Sequence, residues 1–227
     1  MNTPADLTPT EAPGTQAMDS QAMNSQAMNT RSNQVSSPQW DVAVIGGGPT
    51  GLSAAIELSR QGVQRVVVLE RQQEAGGVPR YCSHSPFGFR EFRRCLTGPQ
   101  YARRLIRQAI DYGVDIQTQT SVIRLSPQGC LQLSKPSGSS TINAKKVLIA
   151  TGVRETPRAP RLISGQRPQG ITTTGALQST VLLTREKFFE HPVIIGTELV
   201  AFSALLTCLK AGIRPMAMIE QNSRVTA

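Results

Sequence analysis

The residues best suited to do chemistry in this chain are three glycines and one carboxylate. Gly46, Gly48 and Gly51 stand in a GxGxxG frame directly after the apolar run Val42-Ala43-Val44-Ile45, and Glu70 follows nineteen positions beyond the last of them. Glycine at the first position permits a tight turn off a strand. At the second it leaves no side chain to obstruct a pyrophosphate, and at the third it lets a helix pack close to a sheet. A helix opened by Pro49 and Thr50 would aim unpaired N–H groups and its positive dipole end at phosphate oxygens. A carboxylate at the distance of Glu70 suits the hydroxyls of an adenosine ribose. Glycines at this spacing also serve ordinary tight turns, so context decides. Here a strand, a turn, a helix, a second strand over 66–69 and the acid come in the order a dinucleotide site requires.

The elements around this turn can be read from period and punctuation. Segment 72–95 is rich in glycine, proline and arginine, and a connection of that length usually carries function. A helix follows, with Pro99 in its first turn and Gly113 past its end. Tyr101, Leu105, Ala109 and Tyr112 trace its apolar stripe, while Arg103, Arg104 and Arg107 form a solvated face. Short segments then fall around 115–118, 121–125, 130–134 and 141–143, separated by Pro127-Gln128-Gly129 and Pro136-Ser137-Gly138. The last three predict a small antiparallel meander inserted into a doubly wound sheet. Residues 146–150 return as a buried parallel strand ending in Ala150-Thr151-Gly152.

Composition narrows the alternatives. With 39% hydrophobic and 17% charged residues in 227, the chain is globular in class. Residues 1–38 carry a net −2, few large apolar side chains and a Gln-Ala-Met repeat at five-residue spacing, the pattern of a disordered tail without the apolar centre of a secretory signal. The remaining +11 is a solvated or subunit-facing surface. Nucleic acid is not expected, because only 4% of residues are aromatic and no recognised module appears. The most apolar long stretch, 193–219, is broken by Glu198, Lys210 and Arg214, so no membrane span is expected. Cys82, Cys95, Cys130 and Cys208 lie far apart without a CxxC, which suits reduced thiols in a cytoplasmic protein and gives no metal-ligand spacing.

An internal comparison adds a second unit. Shifted by 150, Val44-Ile45-Gly46 falls on Ile194-Ile195-Gly196, Gly51 on Ala201, Gly62 on Gly212 and Glu70 on Glu220, without a gap. Two strand-helix-strand nucleotide folds therefore occur in tandem. Thr197 and Glu198 replace Gly47 and Gly48 in the second, and a carboxylate there would repel and obstruct a pyrophosphate unless it turned outward to water.

Tandem dinucleotide folds, a meander insert and the Ala150-Thr151-Gly152 return strand resemble the two-dinucleotide-binding flavoproteins of the glutathione-reductase and thioredoxin-reductase type, the pyridine nucleotide-disulfide oxidoreductase-like superfamily. Gly76-Gly77-Val78-Pro79-Arg80, Pro86-Phe87-Gly88, Thr97-Gly98-Pro99 and residues 151–158 (Thr-Gly-Val-Arg-Glu-Thr-Pro-Arg) are similar to the FAD subunits of opine oxidase, hydrogen cyanide synthase and dye-linked proline dehydrogenase complexes. The resemblance covers 39–227. It implies a Rossmann-like FAD-binding domain over 39–160 with the inserted meander, a linker over 161–190, and an incomplete second Rossmann-like unit over 191–227.

Carried over, the resemblance implies that Gly46, Gly48, Pro49, Thr50 and Gly51 hold the ADP half of FAD, with Glu70 on the ribose and Arg71 near the adenine. Val122 would lie by the adenine, Gly77 and Val78 near the flavin side of the pyrophosphate, and Ala150, Thr151 and Gly152 over the cofactor. It further implies oxidation of an amine or amino-acid-like small molecule, an oxidase partner subunit, and electrons passed to a carrier. An NAD(P)H-dependent flavin reductase and a non-catalytic nucleotide-binding remnant are the alternatives. Two departures stand out: Cys82 has no second cysteine nearby for dithiol chemistry, and the chain stops at Ala227, before the family's return segment, as a truncated chain would. No acid, base or nucleophile is assigned; His84, Arg80 and Arg154 are candidates as much for structural roles.

Overall fold

In the computed structural model, which describes residues 39–160, 164–165 and 170–225, the apolar run Trp40–Ile45 is strand β1. Helix α1 (Pro49–Arg60) follows, then β2 (Val66–Leu69). Proline suits the first turn of α1, where its missing N–H would have no partner anyway. Val66 to Leu69 are buried on both faces of the sheet, which explains an uninterrupted apolar run instead of an alternating one. A 3-10 turn (Val78–Tyr81) and the one-turn helix α2 (Phe89–Phe92) lead to α3 (Gly98–Asp111). The Thr97 N–H donates to Gln100 Oε1 at 2.9 Å, fixing the start of α3.

Strands β3 (Asp115–Gln117), β4 (Ser121–Leu125), β5 (Cys130–Lys135) and β6 (Gly138–Ile149) complete a six-stranded sheet of order β3-β2-β1-β6-β5-β4. β1 pairs parallel with β2 on one side and β6 on the other, while β4, β5 and β6 are antiparallel. The chain builds outward from β1 to β2 and β3, then returns to the opposite side through β6. The gap between β1 and β6 is thus a topological switch point, where ligands of such sheets bind.

The alternate residues of β1 and β2 serve two cores. Val44, Val66 and Val68 pack with Leu52, Ile56, Tyr101, Leu105 and Ala109 of α1 and α3. Ala43, Val67 and Leu69 pack instead with Leu131, Leu133 and Ile142 of the meander. Each fully buried valine or leucine contributes about 1.5–3 kcal/mol. A separate two-stranded sheet pairs β7 (Val193–Ile195) in parallel with β8 (Ala217–Ile219), with α5 (Leu199–Lys210) between them in sequence. Helix α4 (Thr174–Ser179) packs on α5, and Leu177 joins Ile194, Ala201, Ala204 and Cys208 in a third apolar cluster.

Four details differ from what the sequence predicts. Segments 141–143 and 146–150 are not separate: β6 is one twelve-residue strand that changes partner near Ala144, from antiparallel β5 to parallel β1. Its end is not buried, since the apolar cluster beneath it reaches Val147 and Ile149 is 64% exposed. Tyr112 leaves the α3 stripe because it sits past the helix end, at φ −87° and ψ 8°, and points to solvent. The span 161–190 is more than a linker, because Thr173 Oγ1 accepts the Ala176 N–H and starts α4 within it. The expected disordered tail over 1–38 lies outside the described residues, as do 161–163, 166–169 and 226–227.

Candidate nucleotide-binding site

The glycine turn at the end of β1 is shaped by close backbone contacts. Gly46 has φ +110°, and its N–H donates to the Leu69 carbonyl at 2.9 Å, continuing the sheet into the turn. A Cβ on Gly46 would lie 2.3 Å from the Ala150 carbonyl oxygen, and one on Gly51 would lie 1.9 Å from the Gly46 carbonyl oxygen. Both positions therefore admit glycine alone, the first for the strand-to-strand approach and the second for seating α1 on the sheet. Around Gly48 the space is open: a Cβ there would come within 4 Å of nothing but the Gly77 Cα, at 3.9 Å. The first turn of α1, including Thr50 and Gly51, presents N–H groups that no preceding helical carbonyl can accept. These are the elements of an anion cradle with a side-chain-free floor.

A second strand of backbone closes the cradle. The Gly76 N–H donates to the Gly47 carbonyl at 2.7 Å, and Gly77, at φ +60° and ψ −150°, stands so close that its Cβ would lie 2.8 Å from the Gly48 Cα. On the far side the Ala150 N–H donates to the Ile45 carbonyl at 2.8 Å, which sets Ala150 and Thr151 beside Gly46. Gly152 follows at φ +70° in open space, and Val78 is half exposed at the start of the 3-10 turn.

Glu70 is buried and held by backbone donors. Its Oε2 accepts the Gly47 N–H at 2.9 Å and its Oε1 the Gln72 N–H at 2.8 Å. Its carbonyl accepts the Thr120 N–H at 2.8 Å, and the Gln72 carbonyl accepts the Gln119 N–H at 2.8 Å. Those bonds bring the start of β4, and with it Val122, toward the acid; Val122 itself packs on the meander core. Arg71 is exposed at the rim. The structure thus brings Gly46, Gly48, Pro49, Thr50, Gly51, Glu70, Gly77, Ala150 and Thr151 into one cleft, with Arg71, Val78, Val122 and Gly152 on its margins.

Three further participants are visible only in the structure. Gly47, between the framed glycines, is needed because a Cβ there would meet both Glu70 and Ala75 at 3.1 Å. Gln72 and Thr120 contribute backbone N–H groups to the Glu70 segment, a role that residue type does not encode. Three consecutive glycines were the one available signal for Gly47. Of the candidate reactive side chains, Arg80 is a strut: it donates to Gln72 Oε1 at 2.9 Å and pairs with Glu74 Oε2 at 2.9 Å, bracing the loop behind the cradle. His84 stacks on Phe87, and Arg154 is exposed. Cys82 is a buried thiol, which burial pushes above its ordinary value, and its Sγ contacts Gln178 Oε1 at 3.8 Å.

Residues 40–227 match the pyridine nucleotide-disulphide oxidoreductase family. The chain belongs to that family. The A-type subunit of opine oxidase from Rhizobium meliloti (strain 1021) is 30% identical over 185 residues, covering 80% of this chain and 38% of that protein. The alpha subunit of sarcosine oxidase from Corynebacterium sp. (strain P-1) is 28% identical over 201 residues, covering 82% of this chain and 20% of that protein. The structure of L-proline dehydrogenase from P. horikoshii shares the fold at a TM-score of 0.67 and 21% identity, over 83% of this chain and 37% of that one. The chain therefore spans between a fifth and two fifths of the length of these proteins. For this pyridine nucleotide-disulphide oxidoreductase chain the cofactor is FAD. The open, side-chain-free floor and the fixed acid fit the ADP half of that molecule. No helix among the described residues is long and apolar enough to cross a membrane.

Proposed function

We propose that the cleft at the β1–α1 turn holds FAD and that the chain serves, with a partner subunit, in oxidising an amine or amino-acid-like small molecule. The observation that carries this reading is the pairing of an unobstructed glycine floor with a carboxylate whose orientation is set by two backbone N–H groups. Gly46, Gly48 and Gly51 with Pro49 and Thr50 would bind the diphosphate, and Glu70 would accept from the ribose. Arg71 and Val122 would border the adenine. Gly77 and Val78 would line the flavin side of the diphosphate, and Ala150, Thr151 and Gly152 would close the opposite wall. Bound FAD would supply the redox chemistry; this chain's residues supply position and a fixed electrostatic environment.

The substrate class is supported by the names of two relatives, one a component of opine oxidase and the other of sarcosine oxidase, both of them parts of assemblies. The four free cysteines favour a reducing compartment, and we assign the cytoplasm on that ground. Electrons would leave to a carrier, not to NAD(P). Anaerobic mixing of the FAD-loaded chain with NADH or NADPH tests that division: the flavin absorption band should persist, and rapid bleaching would favour a flavin reductase instead.

A further inference from the structure

The second strand-helix-strand unit repeats the first bond by bond. Gly196 has φ +109° where Gly46 has +110°, and its N–H donates to the Ile219 carbonyl at 2.8 Å, as that of Gly46 does to Leu69 at 2.9 Å. Past α5, Gly212 has φ +71° and the Ile213 N–H donates to the Cys208 carbonyl, matching Gly62 and the bond from Val63 to Leu58. Ala201, in the place of Gly51, is 2% exposed against the sheet. Glu220 Oε1 accepts the Asn222 N–H at 3.0 Å, as Glu70 Oε1 accepts that of Gln72 at 2.8 Å. The backbone needed for a nucleotide turn is therefore complete, and the difference from the first unit is confined to two side chains.

Those side chains stand where a nucleotide's polar groups would. The Glu198 carboxylate folds back over the turn, so that a Cβ on Gly196 would lie 2.3 Å from Glu198 Oε2. At the corresponding Gly48 the cradle is open. The Thr197 hydroxyl donates to Glu220 Oε2 at 2.5 Å, on the acid that in the first unit is offered to a ribose. In the first unit the equivalent bond comes from the Gly47 N–H, and no side chain projects at that position.

We propose that the second unit is a nucleotide fold closed by its own side chains: Glu198 holds the diphosphate position with like charge, and Thr197 holds the ribose position on Glu220. This deepens the proposed function, on which it rests for the direction of electron flow. It makes Glu198 and Thr197 the residues that deny NAD(P)H a seat, so that reducing equivalents enter from the organic substrate. Replacing Glu198 by glycine restores a G-x-G-x-x-A frame ending at Ala201, and replacing Thr197 as well reproduces the Gly-Gly-Gly turn of the first unit.

The test is calorimetric titration of NADH into the FAD-saturated full chain, comparing wild type with Glu198→Gly and with the Thr197→Gly, Glu198→Gly double variant. The double variant should bind NADH on the order of tenfold or more tighter than wild type, a difference this titration resolves. Glu198→Gln, which keeps the bulk and removes the charge, should fall between them. Equal binding by wild type and the double variant, or none by either while both melt cooperatively at similar temperatures, overturns the proposal. Repeating the comparison in a Gly48→Glu background, with the first cradle blocked, confines the gain to the second unit. A wild-type chain that fails to take up FAD would sink the proposed function, yet the wild-type and variant comparison in that background would still decide this point.

Discussion

At the scale of single residues, the cleft makes predictions in which steric magnitude decides the sign. Glycine to alanine inside a helix ordinarily gains about 0.5–1 kcal/mol. At Gly51 the new methyl would fall 1.9 Å from a backbone carbonyl oxygen that cannot rotate away, and overpacking of this kind costs about 1–3 kcal/mol. Gly51→Ala should therefore destabilise the chain, read as a lowered urea midpoint, and a raised midpoint would show that α1 can lift off the sheet freely. Gly77→Ala carries the added strain of φ +60°, about 1–3 kcal/mol, and pushes on the Gly48 Cα. It should weaken FAD binding about tenfold or more in a fluorescence titration, with an unchanged constant contradicting the placement of Gly77 on the cradle.

The cysteines give a second test at this scale. Burial pushes the Cys82 and Cys208 thiols up, whereas Cys95 is exposed. Under native conditions a thiol reagent should modify Cys95 quickly and Cys82 and Cys208 only as fast as the chain opens. Rapid labelling of Cys82 would revive the possibility of thiol chemistry there. Residue identity alone revealed Gly46, Gly48, Gly51 and Glu70, because each type has a distinct physical job. It could not reveal Gln72 or Thr120, which act through main-chain N–H groups that every residue but proline possesses.

At the scale of elements, β1 is the piece on which the cleft depends. Its residues feed two cores, so removing a side chain from either face loosens the glycine turn at its end. Leu52 is wholly buried beneath α1, and Leu52→Ala should cost about 2–5 kcal/mol in chemical denaturation. The start of β1 is tied by Asp41, whose carboxylate meets Arg65 Nη2 at 3.2 Å and Lys145 Nζ at 2.7 Å, joining β1 to the segment before β2 and to β6. Hydrogen bonds from Arg65, then from Lys145, hold the Asp41 carboxyl well below the usual carboxylate range.

A lowered folded-state value means that the stabilisation is present above the unfolded carboxylate value, about 3.9, and is lost as pH falls below it. Melting temperatures followed from pH 6 to 2 should converge for wild type and Asp41→Asn at the acid end, and a gap that widens on acidification would reverse that sign. Most elements were legible because strand and helix periods differ and glycine and proline mark the turns. The joining of 141–143 with 146–150 was not, since the change of partner at Ala144 is a tertiary event without a local signature.

At the scale of the whole molecule, the two nucleotide units differ in how well they are covered. The first is packed on both faces of its sheet. In the second, Ile195, Leu199 and Met216 are each more than three-quarters exposed, with Ile219 and Val193 about half exposed beside them. Apolar residues gathered on one face in this way favour association. Sedimentation velocity across a concentration series should show self-association or capture of a partner chain, and Met216→Lys or Ile195→Lys should reduce it. A concentration-independent monomer in both forms would show that the face stays in water. The repeat at an offset of 150 residues was visible in the sequence because paired glycines and acids keep their spacing. The closing of the second turn needed coordinates, since only they show which way Glu198 folds.

The measurement that bears most directly on the central claim is titration of the purified chain with FAD, read by quenching of flavin fluorescence, for wild type and Gly48→Glu side by side. Saturable quenching at a one-to-one ratio is predicted for wild type and its loss in the variant, with both chains folded by circular dichroism. Fluorescence unchanged on adding wild-type chain, or identical curves for the two proteins, would contradict the assignment of this cleft to the flavin nucleotide.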